Sequence, residues 1–314
     1  MVNIVTARNL YTKDVTASLE YAKSLKPYRT KEKMVFNLYW RVPKEFGRKQ
    51  LLPIKSIIAN HEEYNSDNYT INLWSNVDLS DHELLKPYSK HITHRIWNPL
   101  EELKATPLQP YIDYFASVVG DDERCWLGGD FFRLVCLSKY GGFYIDMDVC
   151  VLRDMSPLWE YSFVYQWGDS GTSATHGDPT GGPTIPYKLY CNGAVMNLKP
   201  FTECSFKFLS LLLQIPPVPN TTCWGSQLYE YVDDDNLYRL PCAWFNTELC
   251  VGSCATTSTT FFKTNMLNSL YDGAFTWHWH NQWDAVIEHG SKFQMLESII
   301  ENKLSAVLVP LTLA

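Results

Sequence analysis

The chain is predicted to form an α/β domain with a mostly parallel, doubly wound central sheet flanked by helices. Three observations carry this. Short runs rich in β-branched and aromatic residues alternate with longer stretches of helical period, the order of elements that builds a parallel sheet. The 314 residues, 46% hydrophobic and 14% aromatic, suffice to bury one large core. Neither an internal repeat nor a low-complexity tract interrupts the pattern, so residues 1–314 read as a single globular domain, with 1–30 as an N-terminal extension.

In chain order, a helix is expected around 15–25, and Met34-Val35-Phe36-Asn37-Leu38-Tyr39-Trp40 reads as the first core strand. Pro43 and Gly47 end that strand and start a loop. A helix then runs over about 50–64, with Leu51, Ile54, Ile57 and Ile58 on one face. After the turn cluster Asn65-Ser66-Asp67-Asn68, residues 69–74 form a second strand and 92–97 a third, ended by Asn98-Pro99. Helices are expected over 110–119 and from Gly128 to about Tyr140, and strands over 163–167 and 189–197. Between those strands, Gly168–Pro186 is rich in Gly, Pro, Ser and Thr and too long for an ordinary connector, so 168–186 reads as a mobile loop. Helices over 201–214, 224–232 and 292–302, a short strand over 237–240 and a Thr/Ser/Cys-rich loop over 246–262 complete the order.

Composition excludes some function classes. A net charge of −7 argues against a nucleic-acid partner, which calls for a basic patch. No run reaches the ~18 apolar residues of a membrane span. The first residues lack the basic and apolar regions of a signal peptide, which points to a cytoplasmic protein, with a trimmed Golgi-type enzyme as the other reading. The nine cysteines are then mostly free thiols.

The chemistry concentrates in Tyr140-Gly141-Gly142-Phe143-Tyr144-Ile145-Asp146-Met147-Asp148-Val149. It reads as a helix end, a glycine turn and a strand. Alternation along that strand points Asp146 and Asp148 the same way and leaves Phe143, Ile145, Met147, Val149 and Val151 to the core. Two neighbouring carboxylates repel each other, and a cation or a shared proton must relieve them. A hard divalent ion, Mg2+ or Mn2+, does so with oxygen ligands and keeps positions open for phosphate oxygens. Upstream, Asp130 and Arg133 share a helix face three residues apart, as a simple ion pair or as part of the same cleft. Ligands in open α/β sheets sit at the carboxyl ends of strands, where Trp40 and the two aspartates lie.

The ordered set Asp130, Arg133, Tyr140, Gly141, Gly142, Tyr144, Asp146 and Asp148 resembles the glycosyltransferases with a DxD sugar-binding region. Yeast-type mannosyltransferases, α-1,4-galactosyltransferase-like enzymes and clostridial toxin glucosyltransferase domains belong to that group. The resemblance implies a Rossmann-like GT-A fold whose C-terminal elements build the acceptor side. It implies a metal-dependent transfer from a nucleotide diphosphate sugar, UDP-sugar before GDP-sugar, to a hydroxyl of a glycan or glycoprotein, with retention of configuration. It makes Asp146, Asp148 and Arg133 catalytic and Mn2+ (or Mg2+) the cofactor, held by Asp146, Asp148 and His278, with His280 as the other histidine that could take that place. The implied donor-binding set is Trp40, Asp130, Arg133, Gly142, Tyr144, Asp146, Asn192, Gln227 and Trp283. Trp40 would stack on the base. Asp130 would accept from sugar hydroxyls, and Arg133 would bond sugar or phosphate. Asn192-Gly193 matches the family's Asn-Gly step, and Gln227 falls where the family has Thr-Gly-Pro. The C-terminal Trp277-His278-Trp279-His280-Asn281-Gln282-Trp283 resembles the family's His-x-x-x-x-Trp segment, but has His280 for Asn and Gln282 for Ser.

Other chemistries fit parts of this pattern. A haloacid-dehalogenase-like phosphatase would use Asp146 as nucleophile and Asp148 as acid, but Cys150 departs from that motif. A non-catalytic carbohydrate-binding protein would use the chain's 11 Trp and 19 Tyr. A glycosidase needs carboxylates about 5 Å or more apart across the sugar, which suits two carboxylates reaching for one ion poorly. Cys242, Cys250 and Cys254 with His278 or His280 lack the tight spacing of a zinc site.

Overall fold

The computed structural model describes residues 15–42, 44–65, 67–120, 126–166, 191–214, 229, 232, 236–247, 261–264 and 272–308. The predicted loop 168–186, the helix 224–232 apart from Tyr229 and Val232, and Gln227 lie outside the described residues.

The first helix, α1 (Val15–Ser24), leads into β1 (Met34–Trp40). The next helix, α2 (Arg48–Asn65), starts where Gln50 Oε1 accepts from the Gly47 N–H at 2.9 Å, a side chain capping an orphan donor. Two parallel strands follow, β2 (Tyr69–Ser75) and β3 (Ile92–Ile96). The short α3 (Pro99–Glu102) is capped by Asn98, whose side chain accepts from the Leu100 N–H. Helices α4 (Ile112–Gly120) and α5 (Trp126–Tyr140) precede β4 (Gly142–Ile145) and β5 (Val149–Val151). The remaining elements are β6 (Ser162–Gln166), β7 (Cys191–Leu198), α6 (Glu203–Gln214), β8 (Leu237–Leu240), β9 (Thr276–His278) and α7 (Lys292–Leu308).

Seven strands form one sheet in the order β3-β2-β1-β4-β7-β6-β8. Only β7 runs against its neighbours, so the mostly parallel sheet read from the alternation is what the chain builds. The period of two decides the two faces. Phe36, Leu38, Trp40, Phe143, Ile145, Phe163 and Tyr165 pack with α2 and α7 on one side. Trp74, Tyr144, Val164, Met196 and Leu198 pack with α5 and α6 on the other. No helix among the described residues is long and apolar enough to cross a membrane.

One local expectation is corrected. The strand after the glycine turn does not run through both aspartates. It stops at Ile145, and a turn closed by the Val149 N–H on the Asp146 carbonyl at 3.1 Å redirects the chain. Residues 149–151 leave the large sheet and pair antiparallel with β9 in a second, two-stranded sheet that the sequence pattern did not foretell. The unbroken alternation hid the break, because Phe143, Ile145, Met147, Val149 and Val151 are all buried on either side of it.

Candidate metal centre

The glycine turn sets β4 against β1. Gly142 has φ +92°, and a Cβ there would stand 2.6 Å from the Val35 carbonyl oxygen, so only glycine lets the two backbones approach this closely. Asp146 follows the last residue of β4, its N–H bonded to the Ala194 carbonyl of β7 at 2.8 Å. Asp148 sits at the far end of the turn. The pairing of Val149 with His278 brings β9 alongside. Ligand atoms of Asp146, Asp148 and His278 thus all lie within 4.8 Å of one another.

The three side chains are held in different ways. Asp146 faces α5, where the Arg133 guanidinium lies 3.4 Å from Oδ1, and the Tyr144 hydroxyl donates to the same oxygen in a short contact. Asp148 is only 2% exposed. Its Oδ2 accepts the Asn281 backbone N–H at 2.6 Å and lies 3.3 Å from His278 Nε2. Both contacts fall on Oδ2. His278 Nδ1 is 3.1 Å from the Tyr165 hydroxyl. Tyr165 and Asp148 thus hold the imidazole from its two ring nitrogens and fix the ring plane.

Burial and the neighbouring carboxylate push the Asp146 carboxyl above its ordinary range, although Arg133 pulls the other way. Burial works against the Asp148 carboxylate too, but the His278 imidazole and the Asn281 N–H outweigh it and hold it below that range. Burial and the adjacent His278 keep the His280 imidazole well below its usual value. Two close carboxylates, one of them reluctant to ionise, with an imidazole nitrogen at the same point, form a donor set that fits a divalent cation.

The α5 wall is equally well defined. Arg133 is paired with Asp130 at 3.1 Å as well as lying beside Asp146. It lies over the Tyr144 ring at 4.9 Å. Burial disfavours the guanidinium, but Asp146, Tyr144 and Asp130 keep it charged. Its Nε is buried with no acceptor among the described residues. Gly193 on β7 makes room for this packing: a Cβ there would fall 1.8 Å from the Tyr229 hydroxyl and 2.8 Å from an Arg133 terminal nitrogen. Asn192 is half-buried, with Oδ1 accepting the Ala194 N–H at 2.7 Å, which leaves its amide N–H groups for another partner.

Trp40 is nearly buried at 6% exposure, and its indole N–H bonds the Lys44 carbonyl. Its ring packs edge-on against Trp283, 5.2 Å between centroids, so the two tryptophans named from opposite ends of the sequence meet. Trp283 keeps more of its surface open and donates its indole N–H to Asn281 Oδ1 at 3.1 Å. The sequence reading missed Tyr165, Tyr229, Asn281 and Lys49. Nothing in the sequence pattern singles these out: Asn281 acts through its backbone N–H, and Lys49 precedes the helix start expected at about residue 50.

Residues 49–165 match the family described as glycosyltransferase sugar-binding region containing DXD motif, which supports a glycosyltransferase enzyme. No curated protein sequence matches this one. Among solved structures the chain is similar to the PaToxG glycosyltransferase (17% identity, TM-score 0.43, covering 73% of this chain and 78% of that one). It is also similar to the apo-form glycosyltransferase GlyE of Streptococcus pneumoniae TIGR4 (13%, 0.46, 88% and 64%). A third is the galactosyltransferase LgtC in complex with donor and acceptor sugar analogues (13%, 0.42, 86% and 96%).

Proposed function

We propose that this glycosyltransferase moves a hexose or pentose from a nucleotide diphosphate sugar, a UDP-sugar before a GDP-sugar, to a hydroxyl of a glycan or glycoprotein, with retention of the donor's anomeric configuration. The observation behind this reading is the convergence of Asp146, Asp148 and His278 beside the Arg133 guanidinium at the carboxyl end of the central strands. A divalent ion held by those three residues, Mn2+ before Mg2+, would supply positive charge to the leaving diphosphate.

The side chains divide the remaining tasks. Asp148, fixed by Asn281 and His278, presents Oδ1 to the site. Asp146 serves both the cation and the ribose, and Tyr144 steadies its carboxylate. Arg133, braced by two carboxylates and stacked on Tyr144, aims charge-assisted donors at sugar or phosphate. Asp130 accepts from donor-sugar hydroxyls, and Asn192 offers its amide N–H groups to the same sugar. Trp283, with more open ring surface than Trp40, stacks on the base and Trp40 backs it. Gln227 would contact the acceptor or phosphate side.

Retention follows if the acceptor hydroxyl attacks from the face the diphosphate leaves, giving its proton to a diphosphate oxygen. Each carboxylate in the cleft is already committed: Asp130 and Asp146 to Arg133, and Asp148 to His278 and Asn281. Among the described residues these carboxylates are held in pairs and bonds, which favours a front-face route over a covalent one.

The test is a panel of UDP- and GDP-sugars with Mn2+, scored for nucleotide release. Slow hydrolysis of one donor, abolished by EDTA and by Asp148→Asn, is the expected outcome. Absence of metal-dependent nucleotide binding with every donor would overturn the reading.

A further inference from the structure

We propose that Lys49 is a positioning residue for the metal centre, holding the turn that supplies the Asn281 N–H to Asp148. The proposal rests on the metal reading given above.

Lys49 stands in the first turn of α2, far from the aspartates in sequence. The residue is 8% exposed, and its ammonium donates to three backbone carbonyls of one segment: Gln282 at 2.6 Å, Trp283 at 2.7 Å and Ala285 at 2.5 Å. All three of its N–H bonds are thereby used. The Phe262 ring closes the remaining side at 4.1 Å.

Two effects oppose a cation at this place. The first turn of a helix carries the positive end of the peptide dipoles, so an ammonium there is on the unfavourable side. Burial adds to the cost and pulls the Lys49 pKa down to about 8. What the cation does achieve is convergence, drawing three carbonyls onto one point just after two strained residues. His280 and Asn281 have φ of 52° and 57°, consecutive non-glycine residues in the left-handed region. Such a pair persists only when its surroundings hold it. On one side it is held by Asp148, which takes the Asn281 N–H at 2.6 Å. On the other it is held by the segment Lys49 grips, with Trp283 bonded to Asn281 through its indole N–H and packed on Trp40.

The strained turn places a donor on Asp148 Oδ2 and leaves Oδ1 for the cation. Without the grip, the left-handed pair relaxes and the Asn281 N–H moves off the carboxylate. Asp148 then loses the donor that orients its carboxylate. The result is weaker metal binding, with no ligand removed.

The experiment is Mn2+ titration of the free protein, followed by electron paramagnetic resonance, for wild type, Lys49→Met, Lys49→Arg and the double variant Lys49→Met/Asn281→Gly. Lys49→Met should weaken Mn2+ binding about tenfold or more, the range seen when an outer partner of a ligand is lost. Lys49→Arg keeps the charge but spreads its donors over a plane, so it should lose less. Asn281→Gly relieves the strain that Lys49 offsets, and adding it should recover part of the Lys49→Met loss. Should Lys49→Met fail to fold, Lys49→Arg and the double variant carry the same titration. Unchanged Mn2+ affinity in the folded variants, whatever their melting temperatures, would overturn the proposal. If wild type itself binds no Mn2+, it is the metal reading that fails.

Discussion

The two walls of the cleft are built on opposite principles. The α5–β4 wall comes from one short stretch: Asp130, Arg133, Tyr144 and Asp146 span 17 residues, and their contacts are between near neighbours in sequence. The C-terminal wall is assembled across the whole chain. His278 arrives by strand pairing with Val149, its ring is set by Tyr165, and its loop is gripped by Lys49. Local geometry makes the first wall a dense ion-pair cluster, backed by Gly193 and Tyr229. The second depends on supports more than 100 residues away and should be the more easily loosened.

The largest expected effect comes from the residue where the walls meet. Asp148→Asn removes the carboxylate that His278 and Asn281 orient, and turnover should fall about 10²–10³-fold, with Mn2+ affinity lost in parallel. Steady-state nucleotide release and Mn2+ titration check this together. A variant that keeps metal binding but loses turnover would break the assignment of Asp148 to the cation.

Next comes Tyr165→Phe on the distant support. It removes the hydroxyl from His278 Nδ1 and leaves the apolar packing against Phe245 in place. Metal affinity should drop about tenfold, with the melting temperature little changed. An unaltered affinity would mean that the imidazole is oriented by its stack on His280, at 3.9 Å, and not by the tyrosine.

Gly193→Ala probes the local wall. The added methyl meets the Tyr229 hydroxyl and Arg133, so about 1–3 kcal/mol of stability should be lost as both shift. KM for the donor should rise more than kcat falls, because Arg133 is displaced before the cation site is touched. Denaturant unfolding and donor kinetics read the two effects separately.

The smallest effect concerns acid. His61 is fully buried, its Nε2 accepting from the Met155 N–H and its Nδ1 bonding the Ile57 carbonyl, and burial holds its pKa below the ordinary value. Its neutral form is the native one. The unfolded chain takes up the proton first as pH falls through about 6.5, so the stability His61 contributes is complete above that pH and is lost below it. His91, His94 and His280 are depressed in the same direction. The melting temperature should therefore fall by several degrees between pH 7 and 5, and less steeply in His61→Gln. An equal slope in that variant would assign the acid sensitivity to the other histidines.

Range decides how much of this protein the sequence alone determines. Alternation and helical period are local, so the sheet's strands, the two faces of its core and the α5–β4 motif are visible in the residue order. Asp130 with Arg133, and Tyr144 with Asp146, meet because three residues along a helix or two along a strand bring side chains together. The turn at Asp146–Asp148 was not visible, because buried apolar residues continue at every second position through it. Only the tertiary structure could send 149–151 into a second sheet, choose His278 as the residue opposite Val149, and bury Lys49 under the 282–285 carbonyls. Those choices depend on which surfaces remain to be covered once the core has packed, and no window of sequence contains both partners.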